Sequence, residues 1–160
     1  LGIMFSRGFC LVPEKFADPA RERDLLAEVA ILGPKDKVHS FRIPEFGAVA
    51  VYSFSEEEDK GELPRQIWML QSLASDTENY NRIIAAVDGG RLYLVMAQGR
   101  SLLLCSNYSC SDFTTAQYYI FAAMKKFQLN PQVSTVRFCT PLSDEEIQSL
   151  CNYFRKVDVF

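Results

Sequence analysis

Apolar residues in this chain come in short blocks, and two spacings govern them. Near-continuous runs bounded by Gly, Pro, Asn or Asp predict strands, whereas apolar positions three and four apart predict helices. Gly8–Val12 is a strand by this reading, closed by Pro13, which cannot donate to a sheet ladder. Asp18-Pro19 opens a helix with Asp as N-cap and Pro at the first helical position. Its stripe is Leu25, Leu26, Val29 and Leu32, and Gly33-Pro34 ends it. Asp36–Ile43 and Ala48–Phe54 follow as two strands joined through Pro44–Gly47 and expected to pair, the second apolar enough to be central. Ser55–Gly61 (SEEEDKG) is an acidic, flexible loop, and a solvated linker explains its carboxylates better than a metal site does. Leu63, Ile67, Leu70 and Ala74 then repeat at helical spacing, with Pro64 near the first turn and Trp68 bordering the stripe.

The organising stretch is Asn81–Phe127. Ile83–Val87 and Leu92–Ala97 are apolar almost throughout, as in strands covered on both faces. Asp88-Gly89 between them is a strong hairpin signal, because these residues accept the positive φ of a type I′ turn. Gln98–Arg100, centred on Gly99, turns the chain into Ser101–Tyr108. Ser111 or Asp112 caps a helix whose Phe113, Ala116, Ile120, Ala123, Met124 and Phe127 share a face, and Asn130-Pro131 stops it. Ser134–Cys139 is a further strand. Ser143 caps the last helix, with Glu146 completing a capping box and Ile147, Leu150, Cys151 and Phe154 as its buried stripe. Val157–Phe160 begins one more strand. From Asn81 the order is β-β-β-α-β-α-β, a meander that becomes a right-handed βαβ series.

Composition narrows the picture. With 160 residues, 48% apolar and 12% aromatic, the chain can build a real core and is not disordered as a whole. A net charge of -3 with scattered Lys and Arg prepares no phosphate-binding surface, so nucleic acid is not an expected partner. The five cysteines (Cys10, Cys105, Cys110, Cys139, Cys151) form no CxxC pair and sit in apolar segments, as reduced core thiols of a cytoplasmic protein would. No apolar run reaches the ~18 residues of a membrane helix, and no signal sequence is evident, so no membrane role is expected. The chain starts at Leu1 and stops at Phe160 inside a predicted strand, as a piece of a longer protein would.

That element order is used by ribonuclease-H-like domains, and two such domains in tandem make the actin-like ATPase fold. Within it, Arg91–Tyr119 (RLYLVMAQGRSLLLCSNYSCSDFTTAQYY) resembles an uncharacterised Bacteroidetes domain-of-unknown-function family with this fold. There a strand leads through a Gly turn into a strand ending in Asn, followed by an acidic residue and paired tyrosines on a helix. Gly99, Asn107, Asp112, Tyr118 and Tyr119 fit that pattern. Leu11-Val12-Pro13, the acidic and apolar helix after it, and Val51-Tyr52 are similar to the first half of the same family. The resemblance implies an α/β chain of two actin-like lobes, 1–80 and 81–160, the first without its opening strands. It carries no activity with it.

ATP-using actin-like proteins hold phosphates with a Gly-rich hairpin ending in Ser or Thr and place magnesium with an acidic residue. Asp88, Gly89 and Gly90 sit where that hairpin would lie in the second lobe, so ATP with magnesium is the alternative reading of the site. Against it, the turn is short and Arg91 follows where a hydroxyl belongs. The GxxxxGK[ST] and GxGxxG cradles are both missing. His39, the only histidine, has no acidic partner implied by local spacing, and a structural role accounts for it. Cys105 and Cys110 lack metal spacing. Asp112, Asp144, Glu145 and Glu146 stand in first helical turns, where the helix dipole explains them. Tyr108, Tyr118, Tyr119 and Tyr153, with Phe121, are more aromatic surface than one helix face can hide. The leading expectation is a non-catalytic protein without cofactor or metal, acting on a protein partner or by self-association through Tyr108, Tyr118 and Tyr119.

Overall fold

The computed structural model describes residues 8–159, which divide into two compact units, one up to Ser72 and one from Leu73 on. In the first unit, β1 (Gly8–Pro13), β2 (Lys37–Ile43) and β3 (Ala48–Phe54) form a sheet of order β1-β3-β2. Both pairings are antiparallel, with Phe9 opposite Tyr52 and His39 opposite Tyr52. The central strand is β3, and all seven of its residues are buried, as its apolar sequence requires. The turn into it is closed by Gly47 at φ 59.

The helix between β1 and β2 is much shorter than its stripe suggests. Asp18 does cap, accepting from Ala20 N at 3.0 Å, but the turn it caps is a 3-10 helix, Pro19–Arg21, before α1 (Glu22–Ala27). Only Leu26 of the stripe is fully buried, packing with Val12, Val49 and Val51, while Val29 is exposed. The reason lies in the segment that follows α1. Pro34 disfavours helical backbone at Gly33. Gly33 N donates instead to the Asp36 carboxylate at 2.8 Å, and the Arg23 guanidinium donates to the carbonyls of Gly33 (2.6 Å) and Asp36 (2.9 Å). Backbone groups that a longer helix would have used are satisfied there. After β3, α2 (Arg65–Ser75) buries Ile67, Met69, Leu70 and Leu73 and leaves Trp68 exposed.

The second unit is a five-stranded sheet of order β6-β5-β4-β7-β8. Its strands are β4 (Asn81–Asp88), β5 (Arg91–Gln98), β6 (Ser101–Ser109), β7 (Ser134–Phe138) and β8 (Lys156–Val159); Phe160 lies outside the described residues. β4, β5 and β6 are an antiparallel meander; β7 joins β4 in parallel, and β8 joins β7 in parallel. Parallel neighbours need crossovers, which α3 (Phe113–Lys126) and α4 (Asp144–Cys151) supply. Ile83, Leu92, Leu94, Met96, Ala116, Ile120, Met124, Phe138 and Leu150 form one core cluster; each large apolar side chain so buried contributes about 1.5–3 kcal/mol.

Local chemistry sets the ends of these elements. Asp112 caps α3 by accepting from Thr115 N at 2.7 Å, and Ser143 caps α4 by accepting from Glu146 N at 3.2 Å. α3 ends in a Schellman motif, with Leu129 N bonded to Met124 O and Gln128 N to Lys125 O. Gln128 therefore carries φ 58, a left-handed position usually given to glycine. In the β4–β5 hairpin, positive φ falls on Gly89 (57) and Gly90 (76), while Asp88 ends β4 opposite Arg91. The turn is thus Gly89-Gly90, one residue later than the Asp-Gly signal places it. Cys151 is also displaced from its expected place: it is exposed, and of the five free cysteines only Cys110 is buried. A stripe drawn at helical spacing overran the real burial of an eight-residue helix. Among the described residues no helix is long and apolar enough to cross a membrane.

Candidate functional site

The hairpin residues and the tyrosines lie in the second unit, on different features. Asp88, Gly89 and Gly90 occupy a minimal two-residue turn, flanked by Arg91, whose Nη1 donates to Asn107 Oδ1 at 2.9 Å. A Cβ at Gly89 or Gly90 would meet nothing within 4 Å.

The fold does bring the three tyrosines together. Tyr108 comes from the end of β6, and Tyr118 and Tyr119 from the middle of α3. Tyr108 and Tyr119 stack with centroids 4.6 Å apart and planes 12° apart; Tyr118 meets Tyr119 edge to face at 5.6 Å and 69°. Such offset and edge contacts are the preferred aromatic geometries. The inner two tyrosines are half-buried against the core, whereas Tyr118 is 68% exposed. Phe121, one turn further along α3, meets the ring of Tyr153 at 5.1 Å and stacks on Phe154 at 5.7 Å. Tyr153 is itself 52% exposed. The outer surface of α3 and the end of α4 therefore present aromatic rings whose inner neighbours are fixed by stacking.

Two features of the first unit have no clear signature in the sequence. His39 Nε2 and Asp59 Oδ2 are 2.9 Å apart, so the acidic loop does supply a partner, twenty residues away along the chain. That hydrogen bond, foremost, holds the Asp59 carboxyl below its ordinary range. Tyr52 lies across the sheet with its ring 5.7 Å from His39; burial first, and Asp59 second, push its hydroxyl up. Ser40, the neighbour of His39, points to the opposite face because strand side chains alternate, so no Ser-His-Asp geometry arises. The other feature is a cavity of about 340 Å³ between β2 and the segment leading into α1. Its floor includes Leu25, Val49 and Val51, and its rim includes Glu22 and the ion pair of Glu14 with Arg42. Among the described residues, no group of three His, Cys, Asp or Glu is placed to hold a metal ion. Burial pushes the Cys105 thiol up to about 12, which leaves it no thiolate character near neutral pH.

A family model described as a protein of unknown function, DUF3822, matches residues 65–157, more than half of the chain. The chain belongs to the DUF3822 family. The match takes in α2 and the whole second unit up to β8. No curated protein matches the DUF3822 chain. Among solved structures it is similar to a Bacteroides thetaiotaomicron protein described as having an actin-like ATPase fold and unknown function. That likeness has a TM-score of 0.73 at 16% identity, covering 97% of this chain and 65% of the other. The DUF3822 chain thus has an α/β, actin-like ATPase fold and spans just under two thirds of that structure's length. A second structure, the Pelota protein of Thermoplasma acidophilum, is similar at 12% identity over 82% of this chain and 45% of that one; its TM-score of 0.33 supports no argument.

Proposed function

We propose that this DUF3822 protein is a non-catalytic actin-like-fold protein of the cytoplasm that works by binding another protein through Tyr108, Tyr118 and Tyr119. The observation that carries the reading is the exposed ring of Tyr118, backed by the stacked pair beneath it. Tyrosine is enriched in interface cores because a rigid ring offers large contact area with few torsions to freeze. Here the stack holds Tyr119 in place before any partner arrives, which lowers the ordering cost of binding. Lys125 and Lys126 close the same helix and give the patch a basic rim. The five free cysteines suit a reducing compartment.

The test is quantitative co-purification from the native organism with the natural protein and a Tyr118→Ala variant. A partner that is enriched with the natural chain and lost with the variant, at unchanged melting temperature, is the expected result. An identical set of bound proteins in both would overturn the tyrosine patch as the site. The alternative, ATP with magnesium at Asp88, Gly89 and Gly90, is separated by thermal shift. A ligand at a hundred times its dissociation constant stabilises by about 2.7 kcal/mol. A rise in melting temperature with ATP-Mg²⁺ that Asp88→Ala abolishes would replace the binding-only reading with a nucleotide-binding one.

A further inference from the structure

A strand at the edge of a sheet presents unpaired N–H and C=O groups, and natural proteins blunt such edges with charges, proline or brevity. Among the described residues the two sheets have four edges: β1, β2, β6 and β8. β8 is four residues long and carries Lys156 and Asp158; β2 carries Lys37, His39 and Arg42; β1 is closed by Pro13. β6 is different. Its nine residues, SLLLCSNYS, include no charge, no proline and no glycine. Leu102, Leu103, Leu104 and Cys105 are only half-buried, and among the described residues β6 pairs with β5 alone. The one irregularity is the bulge opposite Met96 and Ala97 at Leu103, which leaves Leu104–Ser109 regular.

We propose that β6 is a dimerisation edge, at which two copies of this chain pair their β6 strands antiparallel about a two-fold axis through Ser106. The choice of a second copy follows from charge. A strand without charges meets its own copy with no like-charge pair in any register, whereas in β2 and β8 the register decides which charges meet. The pattern is also self-complementary, as a two-fold contact demands. Around Ser106, Leu104 falls opposite Tyr108 of the other copy, and Tyr108 opposite its Leu104, two aromatic–aliphatic cross-strand pairs on the face that carries the core. Cys105 and Asn107 pair likewise on the other face. The backbone agrees with this register. Cys110 N donates to Gly90 O at 2.9 Å, and alternation along an antiparallel ladder then turns the N–H groups of Asn107 and Cys105 away from β5. These are the donors that a Cys105–Asn107 pairing uses. Two five-stranded sheets would join into one continuous sheet. The inference goes beyond the binding of a foreign protein and shares with it only Tyr108.

The experiment is sedimentation equilibrium of the whole chain with Ser106→Glu and Ser106→Lys variants, each checked by thermal melting. The natural chain is expected at twice its chain mass. Either variant alone places two like charges on the axis and is expected at the chain mass, and an equimolar mixture of the two regains the dimer. Hydrogen exchange on the natural chain needs no variant: the Cys105 and Asn107 amides gain protection as concentration rises. A natural chain that stays monomeric at its solubility limit overturns the inference, as do Glu variants that remain dimeric or amides whose protection ignores concentration. Loss of the dimer on Tyr118→Ala with retention on Ser106→Glu moves the contact to the tyrosine patch and overturns it as well.

Discussion

Replacing Arg82 should damage the second unit more than any exposed charge could. Arg82 is 5% exposed and lies in β4, just before the apolar run Ile83–Val87. Its Nε donates to Leu73 O at 2.9 Å, and its Nη1 donates to Asn79 O at 3.0 Å and to Gly99 O at 2.9 Å. One planar fork thus ties the end of α2, the loop before β4 and the β5–β6 turn. Each hydrogen bond from a charged donor is worth about 1.5–3 kcal/mol, so three amount to ~4.5–9 kcal/mol gross. The guanidinium's own desolvation, a few kcal/mol, is set against this and vanishes on substitution. Arg82→Met keeps most of the aliphatic packing, leaves three carbonyls without donors, and should cost about 3–5 kcal/mol. Arg82→Lys keeps the charge, but one ammonium nitrogen cannot stand at both the Nε and the Nη1 positions, so it should recover at most half of the loss. Guanidinium chloride unfolding followed by circular dichroism reads this as a midpoint lowered by roughly 1 M for the Met variant, at unchanged slope. A Met variant within about 1 kcal/mol of the natural chain would refute the claim that these three bonds hold the segments together.

Four further outcomes follow from particular contacts. Gly99 has φ 58, and a Cβ there would lie 2.8 Å from the Tyr80 ring; Gly99→Ala should cost about 2 kcal/mol from left-handed backbone plus crowding, part of it returned by Tyr80→Ala in a double-mutant cycle of melting experiments. Gln128→Gly should stabilise by about 0.5–1 kcal/mol, since glycine accepts the left-handed position that ends α3, which a raised denaturation midpoint would register. The Asp59 carboxyl is depressed chiefly by its bond to His39. A depressed carboxyl adds stability above its unfolded value, about 3.9, that drains as pH falls through the folded one. The stability difference between the natural chain and Asp59→Asn should therefore shrink as pH falls below about 4. Finally, maleimide labelling with mass spectrometry at neutral pH should find Cys151 before Cys105, because one is exposed and the other's thiol is pushed up to about 12.

The second unit was legible in the sequence and the first only partly, and the difference is physical. In β4 and β5, apolar runs lie between residues with few conformational choices: Gly89 and Gly90 at one turn, Gly99 at the next, Asp112 at the cap. Each local signal agrees with the fold, so the element order is legible without the contacts. The helix after β1 is shorter than its apolar stripe, because a long-range donor, Arg23, and the Asp36 carboxylate organise the segment around Gly33 otherwise. Periodicity cannot register such a contact. His39 and Asp59 were missed for a similar reason: a solvated look is the ordinary appearance of SEEEDKG, and only the return of the loop to β2 reveals that one carboxylate of the run has a fixed partner. The tyrosines could be named as a set, but not their stacking, which depends on β6 and α3 meeting at Tyr108 and Tyr119.

Glycines at a strand-to-strand turn invite a phosphate-site reading in any actin-like chain, and the reasons for glycine can be separated. Glycine is needed either for positive φ or because another group comes too close for a Cβ. At Gly99 both apply, since Tyr80 crowds the position. At Gly89 and Gly90 only the first does: their φ of 57 and 76 is what a two-residue hairpin matched to the twist of β4 and β5 requires, and the space beside them is open. A cradle for phosphate would also need several backbone N–H groups converging on one point, and a two-residue turn has few to offer. The turn accounts for the pair without a ligand. By contrast, the Tyr118 ring is 68% exposed and meets Tyr119 edge to face. A large ring that the core leaves exposed is where binding is best sought, so Tyr118 and the uncharged edge of β6, rather than the hairpin, are the places to test.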